Sequence, residues 1–428
     1  MNRIILVGNG FDSAHNLKTS YNDFLDDYWV NLFTILKDSS KKEVSDGLCS
    51  FLIKYDGYYS WKNILSNAQY IKTIEDLFSF IDDRRRDLCF STSPLFGKIK
   101  EASLKRDWNG IESEYYDFLI RVVLDPTSIR KYGIDISIDS INAELQIIQT
   151  KLVEYLTRIQ RERINDSIIN ESIKECMLAP FCAKEISIES QKVWTNFISR
   201  RMNEEDIMDV IKWYRPLEFR ERTIEVRKYK TSVQDQLDCM GIESIGDRMP
   251  SDMLYPDRVM LLNFNYTNTA DMYMPDDEYI FPINHIHGDL SNPDSVIFGY
   301  GDELDEKYQE IRNLNNNELL KNMKSIRYLE DVNYRNLLTF IESAPYQVYI
   351  MGHSCGVSDR TLLNTLFEHP NCVSIKPFYY VNEQGQDNYI EIVQNISRNF
   401  NDPKKMRDRV VNKTYCLPLP QCPKIEKP

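Results

Sequence analysis

The run Ile4-Ile5-Leu6-Val7, followed at once by Gly8-Asn9-Gly10, does most to limit what this chain can fold into. Four consecutive apolar residues are too few for a helix. They also lack the alternation of a half-exposed strand, so they read as a parallel strand, buried on both faces, that enters a tight turn. Asp12 to Leu17 is compatible with a short helix after that turn. Thr19-Ser20 then offers a cap for a helix near Tyr21–Trp29.

The strand signal returns only after Arg258. Val259–Asn265 reads as a second buried strand with a polar end, and Tyr279–Ile283 with His285–His287 as a short strand stopping at Gly288. Val296–Phe298 is a third apolar run, before Gly299-Tyr300-Gly301. A charged helical stretch over 303–342 leads to a clear strand, Gln347–Met351, that ends in Gly352-His353-Ser354. Asp359–Glu368 reads as the following helix, and Val373–Val381 and Tyr389–Ile392 as late strands. From Asp402 the chain is rich in Pro and Lys and is expected to be loosely ordered. Between the two strand-bearing parts, residues 30–250 look mostly helical, with few strand signals. Ile111, Tyr115, Phe118, Leu119 and Val122 make one stripe at helical spacing, and Ile141–Arg163 and Ser187–Met202 give two further helices. The expected architecture is an α/β, Rossmann-like parallel sheet with a large helical insertion. Residues 1–30 and 255–400 form the nucleotide-binding core, 31–254 the insertion and 401–428 a tail. In such sheets ligands sit beyond the carboxyl ends of the strands, and most of the later strands here end in Asn, His or Gly.

Composition narrows the function. The 428 residues allow one elaborated domain or two, and a net charge of −13 counts against nucleic acid as a partner. The basic clusters Arg84-Arg85-Arg86 and Arg158, Arg161, Arg163 have acidic neighbours and read as solvated helix faces. Nine cysteines, none in a C-x-x-C pair, read as reduced thiols. The start runs straight into a strand, so no leader peptide is expected. No apolar run approaches the roughly 20 residues of a membrane span. The expected location is the cytoplasm, with no membrane partner.

Four motifs carry chemistry, and each has a plain structural alternative. Gly8-Asn9-Gly10-Phe11-Asp12 would bring backbone N–H groups to a phosphate, or be a tight turn only; the full dinucleotide fingerprint is absent. Asn263-Phe264-Asn265-Tyr266-Thr267 ends a strand in carboxamides, which bind ribose hydroxyls or cap the next helix. His285-Ile286-His287-Gly288 puts two histidines on one strand face if the strand stays regular to Gly288. A metal site would need further ligands that the sequence does not offer. Gly352-His353-Ser354-Cys355-Gly356 superficially matches a nucleophile elbow, but reads better as a second phosphate- or ribose-contacting turn.

In order, these motifs resemble the bacteriophage abortive-infection family AbiH. The resemblance is carried by Ile4 to Asp12, Leu17 to Phe24, Asn263 to Thr267, His285 to Gly288, Phe298-Gly299-Tyr300-Gly301-Asp302 and Gly352 to Ser354, with Trp108 and Glu112 as an internal Trp–Glu element. The order is also similar to the wider sirtuin-like fold, in which such turns surround NAD. That similarity implies Gly8 and Gly10 at the phosphate, Asn265 as the strand-end Asn, His287 as the catalytic His and Ser354 in the late turn. Asp12 stands where a sirtuin has a small polar residue, and no zinc ribbon is present, so protein deacetylation is not implied.

The function expected from the resemblance is an antiphage effector that binds NAD or NADP and cleaves its nicotinamide–ribose bond. Asn265, His287 and Asp12 would be catalytic: Asn265 orients water or ribose, His287 is the general base, and Asp12 stabilises the ribosyl cation. Gly8, Asn9, Gly10, Phe11, Thr267, Gly288, Gly299, Gly352, His353 and Ser354 would bind the nucleotide, without a metal. The alternative is a non-catalytic module that senses an ADP-ribose-like nucleotide; a phosphodiester effector would need a metal cluster. A phage trigger, a defence partner protein or a homo-oligomer is open. Two expectations are sharp. Gly10→Ala should weaken nucleotide binding and spare the fold. His287 should end its strand nearest the ligand, with His285 about 6.6 Å deeper and packed by its neighbours.

Overall fold

The computed structural model describes residues 1–38, 43–54, 74–104, 110–127, 136–164, 168–201 and 255–423. Trp108 and Met202, both used in the sequence reading, lie outside them. The chain divides into two compact units. One comprises Met1–Leu17, Ile164–Val296 and Tyr328–Pro428; the other comprises Lys18–Arg163 and Ile297–Arg327.

In chain order the strands are β1 Asn2–Val7, β2 Glu43–Ser45, β3 Cys49–Ile53, β4 Leu88–Thr92, β5 Val259–Asn263, β6 Ile283–His285, β7 Tyr346–Met351 and β8 Cys372–Phe378. The first unit is built on a five-stranded sheet in the order β6-β5-β1-β7-β8, with every pairing parallel. The winding starts at β1, runs outward through β5 to β6, then crosses back to β7 and β8. Its direction therefore reverses between β1 and β7, the place where parallel sheets open a crevice at their carboxyl ends.

Every residue of β1, β5, β7 and β8 is buried, which is why these strands read as unbroken apolar runs rather than alternating ones. On one face Ile5, Val7, Leu261, Tyr349, Met351 and Phe378 pack with Ile173 and Met177 of the helix Glu171–Leu178. Burying that set removes apolar area worth about 1.5–3 kcal/mol per side chain.

Several expectations are corrected. Tyr389–Ile392 is not a strand but the start of the helix Tyr389–Arg398; its buried residues Tyr389, Ile392 and Ile396 follow the helical period. Val296–Phe298 is buried but forms no strand. The charged stretch over 303–342 is broken into the helices Glu306–Arg312, Lys324–Arg327 and Asn333–Ser343. The described part of the segment from Asp402, residues 402–423, is ordered. Its helix Pro403–Arg409 is capped by the Asp402 carboxylate, Val410 bridges to Ile375, and Pro418 bridges to Tyr379. In the second unit, β2, β3 and β4 form an antiparallel sheet that the sequence reading did not expect. Its strands are short, and part of its stability comes from the cross-strand Phe51–Phe90 pair, with ring centroids 4.9 Å apart. The stripe at Ile111, Tyr115, Phe118 and Leu119 does lie buried on one helix, Ile111–Leu124. The helices Ile138–Arg163 and Ile188–Arg201 match the other two expected spans closely.

Candidate functional site

Four loops leave the carboxyl ends of β1, β5, β6 and β7, and their residues meet. After β1, the Gly10 N–H donates to the Gly352 carbonyl at 2.8 Å. A Cβ on Gly10 would lie 2.8 Å from that oxygen and 2.9 Å from the Gly352 Cα. Gly352 itself has φ +79°, a conformation that side chains disfavour. The glycines are thus explained by one loop lying against another. The Gly10→Ala expectation is corrected accordingly: an added Cβ meets backbone, so the change strains the fold whatever the loop binds.

The N–H groups of the first turn are also committed. Gly8 donates to the Met351 carbonyl and Phe11 to the Gly8 carbonyl, alongside the Gly10 bond. Phe11 is wholly buried among Ile5, Tyr273 and Met351 as a core side chain. In this conformation the turn is a fastener, and a phosphate has few of its donors to use.

The loop after β5 joins the other two. Asn265 Nδ2 donates to the Gly8 carbonyl at 3.0 Å, and the Asn263 carboxamide bonds the Asn265 N–H and the Thr267 carbonyl. Thr267 Oγ1 donates to Asp12 Oδ2 at 2.7 Å, and both residues are buried. Phe264 places its ring between two histidines, 5.2 Å from His287 and 4.0 Å from His353.

Those histidines converge on a carboxylate the sequence reading did not single out. His287 Nε2 lies 3.2 Å from Asp359 Oδ1, and His353 Nε2 lies 3.7 Å from Asp359 Oδ2. All three side chains are less than a tenth exposed. Asp359 opens the helix Arg360–Glu368, yet its carboxylate makes no capping bond and faces the imidazoles instead. The Cys355 N–H donates to His353 Nδ1 at 3.0 Å, so that nitrogen is unprotonated and the neutral ring carries its proton on Nε2, toward Asp359. A second unforeseen residue, Tyr328, sets its hydroxyl 3.1 Å from His287 Nε2. The helix Tyr389–Arg398 and the residue that follows it hold the β7 loop: Asn395 donates to the Ser354 carbonyl and Asn399 to the Cys355 carbonyl. Ser354 is exposed, and burial pushes the Cys355 thiol well above its usual range, so the thiol is not an activated nucleophile.

The two strand histidines part company. β6 ends at His285, two residues earlier than expected, so His285 occupies the strand end and His287 lies in the turn beyond it. His285 Nε2 sits 2.8 Å from Asp271 Oδ2, and its Nδ1 faces Asn263 Nδ2 at 3.5 Å. At 16% side-chain exposure it is the more accessible of the two; His287 is at 6%. Burial pulls the His285 pKa down, but the hydrogen bond and charge of Asp271 outweigh it, and the ring is held above its usual value. Gly288 follows with φ +77°, where a Cβ would strike the Ser295 carbonyl at 2.2 Å. Asn9 is partly buried in the first turn.

Gly299, also expected at the nucleotide, belongs to the second unit. There its N–H donates to Glu112 Oε1 at 3.3 Å, and Glu112 also takes the wholly buried Lys324 ammonium at 3.1 Å. Among the described residues no group of three or more His, Cys, Asp and Glu side chains is placed to hold a metal ion, and no helix is long and apolar enough to cross a membrane.

Fold and site thus define an α/β protein whose parallel sheet gathers a buried His–Asp–His cluster at its carboxyl edge. Residues 4–381 match the family described as Bacteriophage abortive infection AbiH, and the chain belongs to that family. Membership suggests a function in phage abortive infection. No curated protein and no solved structure matches the chain.

Proposed function

We propose that the sheet is a Rossmann-like, sirtuin-like nucleotide fold and that the chain hydrolyses NAD or NADP at the nicotinamide–ribose bond, in the service of abortive infection. The observation that supports this most is the His287–Asp359 pair in the loops beyond the strand ends, beside the reversal of strand order. In the proposed step a water oxygen forms a bond to the anomeric carbon while the carbon–nitrogen bond breaks and its electron pair stays on nicotinamide. The water proton passes to His287. The receiving nitrogen is Nε2, which Tyr328 and Asp359 both face, and Asp359 stabilises the imidazolium that forms. Asn265, tied to the Gly8 carbonyl through Nδ2, keeps Oδ1 to accept from a ribose hydroxyl or the water. Asp12, buried beside Thr267, supplies negative charge toward the ribosyl cation. The ribose side of the reading has its groups; the pyrophosphate side needs donors other than those of Gly8, Gly10 and Phe11, whose N–H groups are taken.

The test is to incubate the purified chain with NAD and with NADP and to follow free nicotinamide by chromatography. Release that disappears in His287→Ala supports the proposal. Binding of NAD or ADP-ribose without release assigns the same loops to nucleotide sensing, and neither binding nor release removes the nucleotide from the function.

A further inference from the structure

His287 is the imidazole on which the proposed chemistry turns, yet only 6% of its side chain is exposed. It is almost fully buried, and its Nε2 faces Tyr328 as well as Asp359. The Tyr328 ring lies parallel to the imidazole, 6° between planes and 6.1 Å between centroids, and parallel to Tyr334 beyond it, at 2° and 5.5 Å. With the Tyr328 hydroxyl 3.1 Å from Nε2, the two parallel rings are offset sideways, and the phenol meets the imidazole edge to edge through that hydroxyl.

The short segment that carries Tyr328 is fastened at its far end and loose in its middle. Asn333 Nδ2 donates to the His285 carbonyl at 2.9 Å, and Asn284 Nδ2 donates to the Asn333 carbonyl at 2.8 Å, which ties the segment to β6. Between Tyr328 and that anchor Leu329 is 78% and Val332 63% exposed, so neither side chain binds the segment to the core. Segments with few buried apolar contacts open at low free-energy cost.

We infer that Tyr328 is a gate that occupies its own site: its hydroxyl stands on His287 in the resting chain, and the 328–333 segment swings out to admit a ligand or water whose hydroxyl takes the place of the Tyr328 hydroxyl on Nε2. This rests on His287 being the reacting group. A hydroxyl fits because the phenol oxygen it displaces already lies within hydrogen-bond distance of Nε2.

The test reads His287 access directly and uses no nucleotide. The full chain is treated with diethyl pyrocarbonate, and each histidine's modification rate is followed by peptide mass spectrometry. Partly exposed His369 serves as the accessible control and buried His15 as the inaccessible one. In the native chain His287 should react far more slowly than His369. Tyr328→Ala should speed His287 by about tenfold or more with His15 unchanged, while Tyr328→Phe, which keeps the ring, should leave it slow. If Tyr328→Ala also exposes His15, the variant has lost its fold and Asn333→Ala decides, since it removes the side-chain bond to the His285 carbonyl without touching the Tyr328 ring: a faster His287 supports the gate and an unchanged one overturns it. The gate is likewise overturned if His287 reacts as fast as His369 in the native chain, or stays protected in Tyr328→Ala. These outcomes are independent of nicotinamide release, so a gate without hydrolysis and hydrolysis without a gate are told apart.

Discussion

Buried polar groups lie at both ends of the parallel sheet, and they are organised in opposite ways. Toward the amino ends, Arg3, Gln347 and Ser374 sit side by side in register on β1, β7 and β8, with Lys376 one step on. Arg3 donates to the Met177 and Ala179 carbonyls and lies 4.1 Å over the Tyr349 ring. Glu185 takes the Lys376 ammonium at 2.5 Å and Gln347 Nε2 at 3.1 Å. The strand residues of this set are fixed by the β-ladder, and each of these charges has a permanent neighbour. At the carboxyl ends the groups ride on loops, or for Asp12 on the short helix Asn9–Ala14: Asp12, Asn265, His287, His353 and Asp359 arrive from different segments and share partners, some at distances as loose as 3.7 Å. Charge on strands serves here to fasten layers together, whereas charge on loops converges where a ligand can displace a neighbour.

The predictions press on that contrast. His287→Ala should produce the largest effect, a fall of about 10²–10⁴-fold in nicotinamide release, as expected for loss of a general base, with the unfolding midpoint little moved. If the midpoint collapses with the activity, the cluster at the carboxyl end is structural too and the contrast fails. Glu185→Ala leaves Lys376 buried without its carboxylate and should cost about 3–5 kcal/mol of stability in a denaturant titration. A cost well under 1 kcal/mol would mean that the charged row holds nothing together. Gly10→Ala should come next, at about 1–3 kcal/mol, because its new methyl overpacks the Gly352 backbone. A variant as stable as the parent would show that the two loops yield easily.

The smallest effects are the pH dependences of two histidines, and their signs differ. His15 is buried, with Nδ1 on the Phe11 carbonyl and Nε2 on the Tyr273 hydroxyl, and burial holds its pKa below the usual 6.5. Its contribution to stability is therefore present above the unfolded value and lost as pH falls through the folded one. His285, held above the usual value by Asp271, contributes below the unfolded value and loses that as pH rises through the folded one. Comparing unfolding at about pH 5 and about pH 8, His15→Gln should hurt more at the higher pH and His285→Gln more at the lower. The same trend for both would mean that one of the two rings is misplaced.

Much of the site was legible because it follows strands. Ile4–Val7, Val259–Asn263 and Gln347–Met351 announce themselves as apolar runs, and a run that stops at Gly or Asn marks a carboxyl-end loop without any knowledge of its neighbours. His287 was found that way. The end of its strand was not, since Ile286 continues the apolar alternation after the ladder has already stopped at His285. Asp359 was read as a helix start, which it is; that its carboxylate turns away from the helix depends on where His287 lies, and no local pattern carries that. Tyr328 had no signal at all in a charged stretch.

By itself the sequence determined which segments are buried strands, where they stop, and that glycines and carboxamides follow them, since burial on both faces and tight turns each demand particular residues at particular spacings. Only the tertiary structure decided which loops touch. The order β6-β5-β1-β7-β8 brings the Gly10 turn against Gly352 and sets His287 beside Asp359. The physical reason is that hydrogen bonds and ion pairs act over a few ångströms between groups far apart in the chain, so partnership is fixed by the packing of the whole sheet and not by the residues on either side.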